Sequence, residues 1–211
     1  MISIKELYYK YEDNYIFENF NFQFHDNKLY AIKGESGRGK TTLLNLMLGF
    51  EIPEKGEIIF DNKILNQKNI FEIRKQSAFI PQDFNVKVDT IKELFFSVFE
   101  LKINKKKLPD ENLIKQQFEK MGLDFELMNK KIDEVSGGQK QRVVLASVLM
   151  TNKKYLFLDE PTSALDFESS KKMLQCLKNS NATVIISTHD ENVLHSVDEI
   201  VDLDLLHKKS I

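Results

Sequence analysis

Two glycine-containing stretches carry residue types that can hold phosphate groups. The first, residues 34–41, reads GESGRGKT and fits the pattern G-x-x-x-x-G-K-[ST]. Its glycines let backbone N–H groups wrap an anion, its lysine supplies a full positive charge, and its threonine hydroxyl can ligate Mg²⁺. The apolar run at residues 29–32 predicts a buried strand before the loop, and residues 41–48 predict a helix after it. Because the helix adds its positive dipole end, this context predicts a site for the phosphates of a nucleoside triphosphate.

The residues of this loop are expected to make different contacts. We expect the Lys40 ammonium to reach the β- and γ-phosphates and the Thr41 hydroxyl to ligate Mg²⁺. The other loop residues expected to contact the nucleotide are Gly34, Ser36, Gly37, Arg38, Gly39 and Thr42. A chance glycine-rich turn is the alternative, but it does not account for the strand before the loop and the helix after it.

Two adjacent carboxylates follow a second apolar run. Residues 155–158 predict a buried strand, and Asp159 and Glu160 come directly after it. In a parallel sheet this places both carboxylates at the edge that also carries the glycine loop. Neighbouring side chains on an extended strand point in opposite directions, so the two carboxylates are expected to have different tasks. The alternative is a pair of surface carboxylates at a strand end.

The second glycine stretch is Ser136, Gly137, Gly138 and Gln139, placed before a helical apolar pattern at residues 139–149. Ser136 is well placed as the helix N-cap, and the paired glycines let an anion approach backbone N–H groups at the positive end of the helix dipole. Since residues 34–41 already form a complete phosphate loop, this second turn is best explained if it serves a different ATP molecule.

Composition limits the possible functions. The chain has 211 residues, of which 42% are hydrophobic, and 30 Lys and Arg nearly balance 32 Asp and Glu, so no global basic field recruits nucleic acid. The single cysteine, Cys176, excludes an internal disulfide. No apolar run approaches the ~20 residues of a membrane-spanning helix, and no signal peptide is evident, so we expect a cytoplasmic protein that contacts membranes through a partner. The run Lys105-Lys106-Lys107 predicts a solvated loop, with lipid headgroup or membrane-partner contact as the alternative.

The order of predicted elements indicates an α/β fold. Strands and helices alternate around the glycine loop and again after Gln139, which favours a mainly parallel sheet. The first fifth of the chain is rich in strands without helices and predicts a small antiparallel sheet. Apolar residues at helical spacing predict an inserted helical segment. We therefore expect a single domain, with an ATP-binding core and N-terminal β subdomain at residues 1–82 and 136–211 and a helical subdomain at residues 83–135.

Together, the two glycine stretches resemble the ATP-binding cassette of ABC transporters. The resemblance covers nearly the whole chain, from about Tyr11 to His189, with the family's motifs in the family's order. It implies the fold of P-loop nucleotide triphosphatases, with the small β and helical subdomains described above. Among its members, the chain looks most like the small cassettes of the macrolide-export, lipoprotein-release and peptide-export group.

The resemblance also implies roles for particular residues. Asp159 is expected to hold Mg²⁺ through water, and Glu160 to orient and deprotonate the attacking water. Gln82 is expected to contact Mg²⁺ and the same water, and His189 to donate a hydrogen bond to the γ-phosphate. Tyr11, in the loop ahead of the strand pair that leads to the glycine loop, is expected to stack on adenine, with Tyr8, Tyr9 and Tyr15 as competitors.

In the family, two cassettes pack head to tail, and each Ser-Gly-Gly-Gln turn covers the γ-phosphate held by its partner. The resemblance thus implies a homodimer or a heterodimer with a related cassette, and it places Asp166 in the loop between the two sites. This chain departs from the family at Arg38, where a small residue is usual, at Val135 and Lys140 around the second turn, and at Ser147, where an arginine is common.

Three functions within this family remain open. The first is a transporter ATPase that drives separately encoded transmembrane permease subunits, and the resemblance to the small exporter cassettes implies export of a peptide, bacteriocin or drug. The second is a cassette with a mechanical or regulatory role at the membrane without net transport. The third, a cassette acting on nucleic acid or ribosomes, is disfavoured because the segment between Gln82 and Ser136 has no long heptad arms.

Overall fold

A computed structural model describes residues 1–83, 86–104 and 108–207, with side chains described up to Leu205. The predicted loop at Lys105–Lys107 lies outside the described residues. The strands are β1 (Ile2–Tyr11), β2 (Asn14–Phe24), β3 (Leu29–Lys33), β4 (Lys55–Phe60), β5 (Lys63–Ile64), β6 (Ser77–Ile80), β7 (Tyr155–Asp159), β8 (Thr183–Ser187) and β9 (Glu199–Asp202). The helices are α1 (Lys40–Leu48), α2 (Ile70–Gln76), α3 (Ile91–Glu100), α4 (Glu111–Lys120), α5 (Gly137–Leu149), α6 (Phe167–Lys178), α7 (Glu191–Leu194) and α8 (Leu203–His207).

The larger sheet has the order β6-β7-β8-β3-β9. Strand β8 pairs in parallel with both β7 and β3, and β9 pairs in parallel with the other side of β3. Every residue of β7 and β8 is buried, which is the pattern of parallel strands covered on both faces. The mainly parallel sheet predicted from the sequence is thus confirmed.

The smaller sheet is antiparallel, with the order β2-β1-β4-β5. Strands β1 and β2 form a hairpin whose pairing runs from Ile2–Phe24 to Tyr11–Asn14. Strand β4 adds to the other edge of β1 through pairs such as Ile4–Ile58. The sequence predicted this sheet from the first fifth of the chain alone, whereas the structure adds β4 and β5, which follow α1. The local sequence pattern could not assign β4 and β5 to this sheet, because the antiparallel pairing of β4 with β1 is a long-range contact.

The chain divides into two compact units. The first contains residues 1–79, residues 154–160 and the chain from residue 182 onward, and the second contains residues 80–153 and 161–181. The predicted subdomain limits at residues 83 and 135 stay a prediction.

An aromatic cluster fills the core of the first unit. The rings of Phe24 and Tyr30 meet edge to face, with centroids 4.9 Å apart, and Phe60 meets Tyr155 in the same way at 5.2 Å. The Tyr30 hydroxyl accepts a hydrogen bond from the His25 N–H at 2.7 Å, so its polar end is satisfied. Tyr30 belongs to β3, so this packing helps to fix the strand that leads into the phosphate loop.

Side-chain caps begin the helices of the second unit. Thr90 accepts a hydrogen bond from the Glu93 N–H at the start of α3, and Asp110 accepts one from the Leu113 N–H at the start of α4. The two helices meet through Phe95 and Phe118, whose ring centroids lie 5.6 Å apart. Among the described residues, no helix combines the length and apolar character that crossing a bilayer requires.

The turn between β4 and β5 carries a charged cluster. Asp61 and Asn62 have positive φ values of 46° and 66°, and the Asp61 carboxylate accepts hydrogen bonds from the Lys154 ammonium at 2.7 and 2.6 Å. Partial burial raises the pKa of Asp61, but hydrogen bonds from Lys154, the amino group of Met1 and the Tyr155 hydroxyl outweigh it and lower the pKa to about 2. A carboxyl whose pKa falls on folding stabilises the fold above its unfolded pKa, and this contribution is lost as the pH falls toward 2.

We expect Asp61→Asn to lower the midpoint of thermal unfolding by about 2–4 °C at pH 7, the effect of losing about 1 kcal/mol from a partly exposed ion pair. Asparagine tolerates the left-handed backbone, so the change isolates the charge. The difference from wild type should shrink as the pH falls from about 4 toward 2, because the unfolded chain is protonated at Asp61 first and the folded protein only near its pKa of about 2. Asp13→Asn, in the turn between β1 and β2, is the matched control. A difference that persists unchanged down to about pH 2 would contradict this account.

Candidate active site

The phosphate loop connects β3 to α1 and depends on glycine at its end. Gly39 is the N-cap of α1 and has a φ of 93°, a backbone conformation that residues with a side chain rarely adopt. A Cβ on Gly39 would lie 2.4 Å from Cγ2 of Ile16, so the start of β2 packs directly against the loop. Glycine at this position therefore allows both the turn into the helix and the close approach of the smaller sheet.

The charge of Lys40 lies over the first half of the loop. Lys40 is the first residue of α1, and its ammonium donates to the carbonyl oxygens of Gly34 at 2.7 Å and Glu35 at 3.3 Å. A positive charge thus lies over the loop beside the N-terminus of α1. This arrangement provides both of the elements that an anion needs, a cation and oriented N–H groups.

The Thr41 hydroxyl and the Asp159 carboxylate meet beside the loop. Thr41 Oγ1 donates to Asp159 Oδ2 at 2.9 Å, and the other carboxylate oxygen accepts a hydrogen bond from Ser187 Oγ. Asp159 and Ser187 end the neighbouring strands β7 and β8 and are paired in register. The sequence analysis did not single out Ser187. Its only signal was a polar residue at the end of an apolar strand, and its partner could be identified only from the strand register.

Glu160 faces a different partner from Asp159. Its Oε1 lies 3.0 Å from Nδ1 of His189, and its N–H donates to the Ser187 carbonyl at 3.0 Å. Glu160 is buried, whereas the His189 side chain is 76% exposed. The two carboxylates do diverge as expected, but strand alternation was the wrong reason. Glu160 lies beyond β7 with a φ of 47°, so a left-handed backbone turn separates them.

Tyr11 lies at the end of β1, and its predicted position in a loop is wrong. It pairs with Asn14 across the tight turn at residues 12–13, so β1 continues up to the turn of the hairpin. Its side chain is 66% exposed, compared with 46% for Tyr15, while Tyr8 and Tyr9 are half-buried. Tyr11 is thus the most exposed of the four aromatic candidates.

Tyr9 is engaged within the protein. Burial and a hydrogen bond with Glu51 raise the pKa of the Tyr9 hydroxyl. Tyr8 and Tyr15 contact each other edge to face, with ring centroids 6.3 Å apart. These contacts occupy the competing rings and favour Tyr11 as the free aromatic surface.

The second glycine turn belongs to the second unit. Ser136 caps α5, where its hydroxyl accepts from the Gln139 N–H at 3.2 Å and the Gln139 amide oxygen accepts from the Ser136 N–H at 3.1 Å. Gly137 is exposed and Gly138 is buried. The reciprocal hydrogen bonds form a capping box, which fixes the start of the helix and leaves Ser136 and Gly137 at the surface.

Two further residues predicted to belong to the ATP site, Asp166 and Gln82, lie in the second unit. Asp166 caps α6, and hydrogen bonds from the N–H and hydroxyl of Ser169 lower the pKa of its carboxyl. Gln82 follows β6, and its side chain is exposed. Both residues belong to the second unit, so their joining with Lys40 in one site stays a prediction.

The remaining residues of the phosphate loop differ in their solvent exposure and in their contacts. Ser36 and Gly37 are exposed, and Thr42 is half-buried. The Arg38 side chain forms ion pairs with Asp204 at 3.3 Å and Glu35 at 3.5 Å. The positive charge that this chain carries in place of the family's small residue is thus balanced by two carboxylates.

The oxygen atoms beside the loop fit Mg²⁺. Thr41 and Asp159 offer a hydroxyl and a carboxylate, which are the hard oxygen donors that this ion prefers. Within the described parts of the chain, no group of three or more His, Cys, Asp or Glu side chains forms a metal site. This pair suits an ion that takes its remaining ligands from phosphate oxygens and water, as Mg²⁺ does in nucleotide sites.

Comparison with known sequences identifies relatives over most of the chain. The family model described as ABC transporter matches residues 17–163. The probable ABC transporter ATP-binding protein PEB1C of Campylobacter jejuni is 34% identical over 197 residues, covering 90% of this chain and 81% of the relative. The spermidine/putrescine import ATP-binding protein PotA of Clostridium acetobutylicum is 36% identical, covering 97% of this chain and 58% of that protein.

Solved structures agree with the sequence matches. A dimeric structure of a bacterial ABC transporter cassette superposes with a TM-score of 0.79 at 29% identity, covering 96% of this chain and 94% of the other. A dimeric cassette in a post-hydrolysis state, bound to ADP and Pi, superposes with a TM-score of 0.78 at 27% identity over the same shares. The chain therefore belongs to the ABC transporter family and is an ATP-binding cassette with ATPase activity.

Proposed function

We propose that this chain is the ATP-hydrolysing subunit of a membrane ABC transporter, acting as a head-to-tail dimer with Mg-ATP between the protomers. The observation that carries the proposal is the presence of two phosphate-seeking turns, residues 34–41 and 136–139, in one chain. The first turn is sufficient to hold the phosphates of one ATP molecule. The second has an exposed capped helix start, which suits an ATP molecule held by a partner.

ATP is held mainly by charge and backbone N–H groups. The Lys40 ammonium moves from the carbonyls of Gly34 and Glu35 to the β- and γ-phosphates, while the N-terminus of α1 faces the same anion. The exposed ring of Tyr11 supplies a flat apolar surface for adenine. Thr41 and Asp159 would hold Mg²⁺, directly or through water, and a bound ion would supply positive charge beside the phosphates.

Glu160 is the general base in this proposal. It orients the attacking water and takes its proton, so the nucleophile approaches the γ-phosphate with developing hydroxide character. The contact with His189 holds the Glu160 carboxylate in one direction. With ATP bound, His189 would also donate a hydrogen bond to the γ-phosphate, and Gln82 would contact the metal ion and the attacking water.

The dimer converts hydrolysis into movement. The Ser136 turn of one protomer covers the γ-phosphate held by the other, so ATP joins the two protomers. Loss of the γ-phosphate removes the charge that held the closed dimer, and the population shifts to the open form. Asp166 lies in the segment that runs between the two composite sites. Two cassettes of known structure that this chain resembles are dimeric, which supports a dimer for this chain.

Transmembrane permease subunits encoded separately receive this movement, and they hold the cassette at the inner face of the cell membrane. Two directions of transport have support. The resemblance to small exporter cassettes favours export of a peptide, bacteriocin or drug. The identity of 36% with a protein described as a spermidine/putrescine import subunit favours import. Inverted membrane vesicles carrying the whole transporter separate the two, because external ATP drives uptake into them only for an exporter.

Lys40→Ala should weaken ATP binding strongly, because it removes the ammonium that lies over the first half of the loop. Equilibrium titration with a fluorescent ATP analogue measures the effect. Lys33→Ala, which removes a lysine at the end of β3 outside the glycine loop, is the matched control and should bind normally. ATP affinity unchanged in Lys40→Ala would discredit the assignment of residues 34–41.

Glu160→Gln should bind ATP normally and hydrolyse it about 10²–10⁴-fold more slowly, because the amide cannot accept the proton of water. The variant should also accumulate as a dimer in the presence of ATP, which light scattering detects. Glu168→Gln, on the first turn of α6, is the control for loss of a carboxylate charge. Turnover at the wild-type rate in Glu160→Gln would remove this residue from the mechanism.

Mixing Ser136→Arg with Lys40→Ala subunits tests the shared site. A mixed dimer has one intact composite site and one that is damaged on both sides. Random exchange makes half of the dimers mixed, so turnover should recover to roughly a quarter of the wild-type value. Each variant alone should stay far below that level. Failure of the mixture to exceed the two separate variants would show that the sites are not shared between subunits.

A further inference from the structure

Arg38 links the phosphate loop to the segment that follows the last strand. Its Nε lies 3.3 Å from Oδ1 of Asp204, on α8, and its Nη2 lies 3.5 Å from Oε2 of Glu35. The same Asp204 oxygen accepts a hydrogen bond from the backbone N–H of Glu35 at 3.3 Å. The Oδ1 atom of Asp204 therefore contacts both a side chain and a backbone N–H group of the loop.

The backbone of the loop and the start of α8 are also closely packed. A Cβ on Gly34 would lie 3.2 Å from Cβ of Arg38 and 3.3 Å from Cβ of Leu203. Leu203 is completely buried, while the Asp204 side chain beside it is 27% exposed. The loop therefore rests against α8 at its first glycine, where a side chain would crowd both neighbours.

Sheet register fixes the position of Asp204. Strand β3 ends at Lys33, directly before the loop, and pairs there with Asp202, the last residue of β9. The Asp202 carboxylate accepts hydrogen bonds from the N–H groups of Asp204 at 3.0 Å and Leu205 at 3.3 Å. Because β3 and β9 are parallel and paired at their ends, the phosphate loop and Asp204 follow neighbouring strands and lie next to each other at the edge of the sheet.

We propose that Asp204 is a positioning residue for ATP binding, acting through Arg38 and the Glu35 N–H. By holding these two groups it restrains the first half of the loop, so ATP meets a loop that is already ordered and less conformational entropy is lost on binding. The proposal deepens the proposed function and rests on ATP binding by residues 34–41. It also gives a role to Arg38, whose size and charge depart from the family's pattern.

Asp204→Ala should raise the KM for ATP by about 3–10-fold, the range expected for a partly exposed ion pair and one hydrogen bond. The kcat should stay within about 2-fold of wild type, because the restraint acts before the chemical step. Arg38→Ala should have a similar effect, and the double variant should be no worse than either single one, since both remove the same link. Asp204→Glu, which keeps the charge, should restore most of the affinity.

Two controls separate positioning from general stability. Glu72→Gln breaks an ion pair with Lys75 on α2, at 3.0 Å, and should leave the KM unchanged. Partial unfolding of a variant would reduce the fraction of active protein and thus the apparent kcat, while leaving the KM unaffected. The thermal unfolding midpoint of each variant measures its stability directly. Because salt screens partly exposed charges, the difference in KM between Asp204→Ala and wild type should narrow at about 1 M salt.

The outcomes distinguish this proposal from the wider function. If Lys40→Ala loses ATP binding but Asp204→Ala and Arg38→Ala leave the KM unchanged, the positioning role is wrong and the site assignment stands. A lower KM in Asp204→Ala would also overturn it, because the freed Arg38 would then bind phosphate itself. Normal ATP binding by Lys40→Ala would instead overturn the site assignment beneath both proposals.

Discussion

The parallel pairing of β7, β8, β3 and β9 is the constraint on which the site of the first unit depends. Backbone hydrogen bonds between these strands set Asp159 opposite Ser187, Ser187 opposite Ile32, and Lys33 opposite Asp202. Each strand therefore ends at the same edge of the sheet. At this edge β3 is followed by the phosphate loop, and β7 ends at Asp159, directly before Glu160. Strand β8 is followed by the segment that contains His189, and β9 by α8. The polar groups of these segments meet only because the strands are in register.

Burial gives this edge its chemical character. Asp159 lies among buried strands, yet both of its oxygens accept hydrogen bonds, from Thr41 and Ser187. A buried carboxylate without such partners would be costly, and these hydrogen bonds offset the cost of burying it beside the loop. Glu160 is buried as well, and its contact with the exposed His189 connects the buried end of the strand to the protein surface.

Much of this architecture could be predicted from local sequence. The pattern from residue 29 to residue 48 specified a buried strand, a glycine loop and a helix, and each formed as expected. Ser136 could be assigned as a helix cap because capping is a contact within a few residues. Tyr11 was misplaced because the end of a strand depends on its hairpin partner, and the divergence of the two carboxylates came from a backbone angle that the pattern of apolar residues does not encode.

The sequence alone determined the family, the phosphate loop and the identity of the carboxylates, because these depend on residue types at short, fixed spacing. Only the tertiary structure decided which side chains meet across the sheet edge. Ser187 contacts Asp159, and Asp204 contacts Arg38 and Glu35, over separations of 28, 166 and 169 residues (187 − 159, 204 − 38 and 204 − 35). Such contacts follow from strand order and register, which are properties of the folded sheet rather than of any one segment.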